Sequence, residues 1–143
     1  MRVLCLDVGS KTIGVAVSDP LGWTAQPILT IKRTTQEADR REIERLIQEY
    51  EVDKIVVGLP LRMDGSEQQE AAGVRKFVEK VTEWSKGIPI VLWDERLSTV
   101  AAERSLIEAD LSREKRRKVI NQMAAVFILQ GYLDSLQVPP PAA

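Results

Sequence analysis

The chain has 143 residues, 44% of them hydrophobic, and its 20 Lys and Arg against 21 Asp and Glu give a formal net charge of −1. This length suffices for one domain with a real core, and the near-zero charge neither indicates nor excludes a nucleic acid partner, because the position of charges matters more than their sum. The chain contains no His, which excludes Ser-His-Asp catalysis and zinc–histidine sites, so any hydrolysis would depend on carboxylates, usually with a hard metal ion.

The predicted elements begin with an antiparallel hairpin. Val3–Leu6 is a short, almost wholly apolar run, typical of a strand buried on both faces, and it ends in the carboxylate of Asp7. Ile13–Val17 predicts a second strand, and only a tight turn around Gly9 fits between the two, so they should pair antiparallel. Cys5, the one cysteine, falls inside the first strand, where we expect a buried small hydrophobe and no disulfide within the chain.

Asp7 has two interpretations at this point. Desolvating a carboxylate at the end of a central strand is unfavourable without a partner, and a bound cation is an economical partner. Gly9 would let the backbone approach such a ligand closely. Asp is also common in turns, where it makes local hydrogen bonds, so Asp7 could instead cap the hairpin. This stretch alone favours neither interpretation.

The next part of the chain predicts one more strand, a helix and a fourth strand. Pro27–Lys32 alternates in the manner of a strand. The spacing of Thr34–Glu37 is that of a capping box, which predicts a helix over about Ala38–Tyr50 with one apolar stripe. Lys54–Gly58 then predicts a compact buried strand, followed by a loop.

A second helix and a fifth strand come next. Ser66–Gln69 has the spacing of another capping box, and Gly87 would end the helix that follows it. The fifth strand is predicted at Ile88–Trp93. The predicted helix has one apolar side, formed by Val74, Phe77, Val78, Val81 and Trp84.

The last third of the chain predicts two helices separated by a basic segment. Either Ser98 or Thr99 can cap a helix that reaches about Ala109. Leu111–Lys118 is densely basic without a clear apolar face, and Ile120–Leu133 is apolar nearly all round, as in a helix buried against a sheet. Residues 139–143, Pro-Pro-Pro-Ala-Ala, are expected to form a disordered tail.

The element order βββαβαβαα predicts a mixed five-stranded sheet, with an antiparallel meander of the first three strands, parallel fourth and fifth strands, and helices on both faces. This is the ribonuclease H-like architecture, an α/β fold expected here as one domain over residues 1–138. Ligands of open α/β sheets gather beyond the carboxyl ends of the parallel strands. Asp7, Gly58–Pro60 and the pair Asp94 and Glu95 should all reach that edge.

These residues also carry a specific resemblance. The sequence resembles the YqgF family, bacterial proteins named both as Holliday junction resolvases and as pre-16S rRNA nucleases. The resemblance implies a metal-dependent phosphodiesterase that works in the cytoplasm on structured nucleic acid and trims the 5′ end of precursor 16S rRNA, with resolution of branched DNA as the alternative. The matching segments span nearly the whole chain: Asp7–Asp19, Val57–Pro60, Asp94–Thr99 and Ala124–Leu133.

The resemblance also implies the acidic residues of the site. Asp7 matches the acid of the first strand, and Glu95, with Asp94 beside it, matches the acidic motif after the fifth strand. The family usually has an Asp where this chain has Asn121, and an amide offers a metal an oxygen without a charge. Carboxylates of this kind hold two Mg²⁺ or Mn²⁺ ions in phosphodiester hydrolysis, so Asn121 makes the second ion the uncertain one.

Strand alternation places Glu95 on the face of Trp93 and Asp94 on the other, so only one of the two acids should point at the metal, and we favour Glu95. The alternative for both acids is an ion pair with Arg96 at the end of the strand. Lys11 and Arg96 are candidates to contact phosphates near the cleavage point.

The basic segment could close over a polyanion through Arg113, Lys115, Arg116, Arg117 and Lys118, or it could be only a solvated, mobile loop.

Two other classes of function compete with a nuclease. With Asn121 in place of an acid, the domain could bind structured RNA and cut it barely or not at all. A βββαβα core with an Asp-x-Gly hairpin also occurs in ATP-binding domains of the actin and sugar-kinase type, which need two such domains, whereas this chain is long enough for one. No apolar run reaches membrane-spanning length, so we expect a cytoplasmic protein, as either a monomer or a homodimer.

Overall fold

The structure, a computed structural model, describes residues 1–62, 64–97 and 113–137, and for residues 113–121 it describes the backbone only. Five strands are present: β1 Val3–Val8, β2 Thr12–Ser18, β3 Ala25–Lys32, β4 Lys54–Leu59 and β5 Ile90–Asp94. A short 3₁₀ helix, Glu95–Leu97, follows β5. The described helices are α1 Gln36–Glu49, α2 Gln69–Trp84 and α3 Arg113–Gln137.

The five strands form one mixed sheet in the order β3-β2-β1-β4-β5, which confirms the predicted arrangement. β1 pairs antiparallel with β2, with Asp7 opposite Gly14, and β2 pairs antiparallel with β3. β4 is parallel to both β1 and β5, and Gly58 lies opposite Trp93 of β5. Since β1, β3, β4 and β5 run in one direction, their carboxyl ends meet at the same edge of the sheet.

The alternation of side chains along β1 divides the core into two layers. Leu4 and Leu6 are fully buried under α1 and α2. Val3 and Cys5 are fully buried on the opposite face, which α3 covers with residues such as Ile128. The continuous apolar run of the first strand therefore buries side chains on both faces, as the sequence predicts.

Helices α1 and α2 begin differently from the predicted capping boxes. Thr35, rather than Thr34, caps α1, and its Oγ1 accepts the N–H of Ala38 at 3.1 Å. In α2 the residue before the helix is Gln68, whose side chain makes no capping hydrogen bond. Ser66 is not a cap there, because its N–H and hydroxyl both donate to Asp64 in the preceding turn.

The basic segment is helical in the part that the structure describes. α3 starts at Arg113, so residues 113–118 are its first turns and not the loop that the sequence suggested, and the helix continues beyond Leu133 to Gln137. The predicted helix over residues 98–109 and the predicted tail over residues 139–143 lie outside the described residues. Within the ranges described, no helix is long and apolar enough to cross a bilayer.

β3 forms one edge of the sheet and is tied to α3 at its start. The side-chain amide of Gln130 accepts the N–H of Ala25 at 3.0 Å and donates to the carbonyl of Trp23 at 3.1 Å. Pro27, which has no N–H to donate, is tolerated here because an edge strand leaves one side unpaired.

Candidate active site

Asp7 and Glu95 lie on the face of the sheet that α3 covers. Asp7 is two residues beyond Cys5 on β1, so alternation gives it the face of Cys5. On β5, Trp93 packs into the same α3 layer, whereas Leu92 belongs to the opposite layer. Glu95 lies in the 3₁₀ helix after β5, where strand alternation no longer applies, but its side chain lies against Gly58 on the face where Ile128 of α3 packs.

Gly58 provides the space into which the Glu95 side chain extends. A Cβ atom on Gly58 would lie 2.9 Å from Oε1 of Glu95 and 2.8 Å from Cδ1 of Ile128 in α3. The φ angle of Gly58 is not positive, so this position needs glycine for close approach and not for backbone conformation. β4 lies between β1 and β5, and any larger residue at position 58 would collide with the side chains of Glu95 and Ile128.

The buried thiol of Cys5 reports that both carboxylates are near it. Burial raises the pKa of Cys5 well above its ordinary value, and the negative charges of Asp7 and Glu95 raise it further. A raised pKa favours the protonated thiol, which is a poor nucleophile and a poor metal ligand. Both acids are therefore close enough to Cys5 for their charges to act on it.

Both carboxylates line a cleft of about 580 Å³ at the carboxyl ends of the strands. The β1–β2 turn contributes one wall through Gly9 and Ser10, and the residues after β4 contribute another through Pro60. The first turns of α2 complete the lining on the far side. This cleft therefore lies at the edge of the sheet where the sequence predicts that a ligand binds.

Asp94 points away from this pair and binds Arg96. The guanidinium donates from Nε at 3.1 Å and from Nη2 at 2.7 Å to the carboxylate, and the hydrogen bond from Arg96 lowers the pKa of Asp94 below its usual range. Arg96 also lies against Gly65, with Nη1 3.6 Å from the position of a Cβ there. The ion pair that the sequence left open for both acids is therefore made by Asp94.

The other residues predicted for the site are placed less directly. Lys11 is exposed in the β1–β2 turn, and its carbonyl accepts the N–H of Arg33 at 2.9 Å. Asn121 belongs to α3, and its side chain lies outside the described residues. The side chains of the basic segment, from Arg113 to Lys118, lie outside them as well.

Arg33 lines the cleft and was not among the residues predicted from the sequence. It follows β3 directly, and β3 ends at the same edge as Asp7. Asp7 and Glu95 were found by looking for a polar residue directly after a predicted strand at the carboxyl edge of the sheet. The same rule, applied to the antiparallel part of the sheet, would have found Arg33.

The donor set suits a hard divalent cation. Among the residues that the structure describes, no three His, Cys, Asp or Glu side chains form a group that could hold a metal ion. Mg²⁺ does not require three, because it keeps several waters and often binds one or two carboxylates together with a substrate phosphate. Asp7 and Glu95 in one open cleft fit that coordination.

Comparisons with known proteins agree with these features. The family model for RuvX, described as "Holliday junction resolvase", matches residues 1–135. A protein of Desulforamulus reducens is 57% identical over 135 residues, which cover 94% of this chain and 98% of that protein. A protein of Myxococcus xanthus is 55% identical over 139 residues, which cover 97% of this chain and 91% of that one. Both are named "Putative pre-16S rRNA nuclease".

Solved structures share the fold at low identity. RuvC of Thermus thermophilus in complex with a Holliday junction substrate superposes with a TM-score of 0.61 at 16% identity, covering 96% of both chains. The fowlpox virus resolvase in complex with Holliday junction DNA gives a TM-score of 0.57 at 12% identity, covering 96% of this chain and all of that one. These likenesses confirm the ribonuclease H-like fold predicted from the element order.

Proposed function

This chain belongs to the RuvX family, the family that its sequence motifs resemble, and from that membership we propose that it is a metal-dependent nuclease that processes the 5′ end of precursor 16S rRNA in the cytoplasm. The family and its named relatives make it a hydrolase of phosphodiester bonds. The observation that carries the proposal is that Asp7 and Glu95 line one open cleft at the carboxyl ends of the strands.

Asp7 and Glu95 are assigned as the metal ligands. Asp7 sits near the end of the central strand, and the Glu95 side chain lies against Gly58 of the neighbouring strand β4. When bound there, Mg²⁺ or Mn²⁺ would activate a water and offset the charge of the phosphodiester transition state. The carboxylate oxygens of these two side chains would be the metal ligands, and their negative charge favours a cation at this site.

Asp94 is assigned a positioning role. Its ion pair with Arg96 orients the residues that directly follow β5, and Glu95 lies between the two paired residues. Because both ends of this short segment are fixed, the carboxylate of Glu95 loses less freedom when it binds a cation.

Asn121 decides how much activity is expected. If its amide takes the place of the family's acid, one ion is bound by charge and a second is bound only weakly. We expect slow cleavage by the natural chain and a gain on Asn121→Asp. A chain that binds structured RNA but cuts it in neither form would instead be a binding module.

In the test, the purified protein is incubated with Mn²⁺ or Mg²⁺ and with one of two substrates, a precursor 16S rRNA fragment or a four-way DNA junction, in parallel reactions. We expect cleavage of the RNA at its 5′ end, and loss of detectable cleavage in Asp7→Asn and in Glu95→Gln, because each variant removes one charged ligand of the cation. The matched control is Glu49→Gln on the outer face of α1, which should cut as fast as the parent. Equal rates in both site variants and the parent would refute the assignment of these acids.

Resolution of branched DNA is the second candidate, favoured by the description of the family model. A symmetric junction calls for two active sites, so this function requires a dimer, whereas an rRNA end does not. Cutting of the junction in preference to the RNA, together with a dimeric mass in solution, would select the second candidate over the first.

A further inference from the structure

Arg33 holds its guanidinium at the wall of the cleft through three contacts. Nε donates to Oδ2 of Asp39 at 3.1 Å, and Nη1 donates to the carbonyl of Gly9 at 2.8 Å. The guanidinium carbon lies 5.0 Å from the ring centre of Phe77 in α2. These contacts come from the β1–β2 turn, α1 and α2, so the position of the group is fixed by separate elements of the fold.

The ion pair with Asp39 is asymmetric in its exposure. The Asp39 side chain is 3% exposed and that of Arg33 is 29% exposed. Among the described residues, none gives the buried Oδ1 of Asp39 a hydrogen bond, so this carboxylate carries an unmet cost of desolvation. A buried acid of this kind is a weak source of stability, but it fixes a cation at the surface.

Arg33 still has donors to offer. A guanidinium has five N–H groups in a rigid fork, and the two hydrogen bonds within the described part of the chain leave Nη2 and the second N–H of Nη1 available. A planar pair of donors matches two oxygens of one phosphate.

The acidic residues of the cleft would repel a nucleic acid strand, so a positive group beside them favours its binding. Asp7, Glu95 and Glu70 all line it, and Arg33 is the sole cation among the described residues that do. A nucleic acid strand entering this cleft meets three carboxylates. A bound metal ion offsets the charge around the phosphate that reacts, but the neighbouring phosphates need a positive group of their own.

We propose that Arg33 binds a backbone phosphate next to the one that is cleaved, and thereby sets which bond reaches Asp7 and Glu95. This role rests on the nuclease function proposed above. It requires a ligand with a phosphodiester backbone, RNA or DNA, and no particular base.

The test measures binding without cleavage. In an Asp7→Asn background we compare Arg33, Arg33→Lys and Arg33→Gln for binding to the precursor rRNA fragment over a range of salt concentrations. Each phosphate contact contributes about 0.7 to the slope of log K against log salt for a single strand and about 0.9 for a duplex. We expect Arg33→Gln to lower the slope by about that amount, and Arg33→Lys to keep the slope but bind more weakly, because it offers a point charge and no fork.

Two further variants separate phosphate binding from folding. Arg33→Gln leaves Asp39 buried and unpaired, so Arg33→Gln with Asp39→Asn removes the stranded charge and should melt closer to the parent. Arg45→Gln is the matched control, since Arg45 pairs with Glu42 and Glu49 on the exposed face of α1. The double variant should show the lowered slope and the control should not.

The outcomes discriminate between this inference and the nuclease function. An unchanged slope in a folded Arg33→Gln, Asp39→Asn protein, while the parent still binds and cuts, would overturn the role of Arg33 alone. A parent chain that binds neither RNA nor junction DNA would overturn both proposals.

Discussion

Replacing Gly58 with Ala tests whether the two carboxylates must meet across β4. The added Cβ would lie 2.9 Å from Oε1 and 3.2 Å from Cγ of Glu95, and 2.8 Å from Cδ1 of Ile128. To reach the 3.4 Å at which ordinary contact begins, the Oε1 and Cδ1 atoms must each retreat by about half an ångström. Both belong to the ends of flexible side chains, so the backbone can keep its fold.

The two displacements have different consequences. Crowding in a packed core costs about 1–3 kcal/mol, and we expect the lower half of that range because the ends of the side chains can move. Displacement of a metal ligand affects the reaction more strongly, since about 1 Å of misplacement costs about 100-fold in rate. We therefore expect Gly58→Ala to fold, to lose about 1–2 kcal/mol of stability and to cut about 10- to 100-fold more slowly.

A second substitution separates the two effects. Ile128→Val removes Cδ1 and costs about 0.5–1.5 kcal/mol by itself, while leaving Glu95 untouched. Combined with Gly58→Ala, it relieves the contact with α3 but not the contact with Glu95. The double variant should thus lose less stability than the sum of the two single losses, and it should regain none of the activity.

The assays are thermal unfolding followed by circular dichroism and single-turnover cleavage of the rRNA fragment at saturating Mn²⁺. Cleavage by Gly58→Ala at the parent rate would refute the reasoning, because Glu95 would not need its place beside Gly58. Recovery of activity in the double variant would refute it in another way, by tracing the loss to the packing of α3.

Two predictions concern titrating groups. The pKa of Cys5 is raised in the folded protein by burial and then by Asp7 and Glu95. The contribution of this thiol to the free energy of unfolding should therefore be complete below the ordinary pKa of about 9.0 and fall as pH rises above it. Urea titrations at pH 8 and pH 10 should show a fall in stability for the parent and a smaller fall for Cys5→Ala. A steep loss that Cys5→Ala shares in full would assign the effect to other groups. The pKa of Asp94 is lowered by Arg96, so this pair stabilises the fold above pH 3.8 and its contribution disappears as pH falls below that value. Arg96→Gln should lose less stability than the parent between pH 5 and pH 3, and the difference should be small because the ion pair is partly exposed; an identical acid transition in both proteins would contradict this.

The sheet was predictable because the signals for it are local and repeated. Apolar runs at Val3–Leu6 and Lys54–Gly58 are long enough to specify buried strands, and the order of the elements then restricts the topology. The different orientations of Glu95 and Asp94 were also predicted, although the alternation used for this ends with β5 at Asp94. Each of these depends on residues close in sequence.

The helix starts and parts of the site were not predictable in the same way. The hydroxyl of Ser66 had two possible uses, and only the folded loop shows that Asp64 takes it before α2 begins. Gly58 looks like any strand-end glycine until Glu95 is packed against it from another strand. Arg33 depends on Asp39 and Gly9, which the fold brings to it from two elements. Contacts of this type follow from tertiary structure, which the local pattern does not contain.

The edge of the sheet at β3 bears on how copies of the protein could associate. An exposed strand with free N–H and C=O groups invites another chain to pair with it and aggregate. At the start of β3, Pro27 has no donor and Gln130 occupies that of Ala25. Growth of the sheet from one molecule into the next is thereby discouraged at the start of β3, while β5 forms the other edge of the sheet.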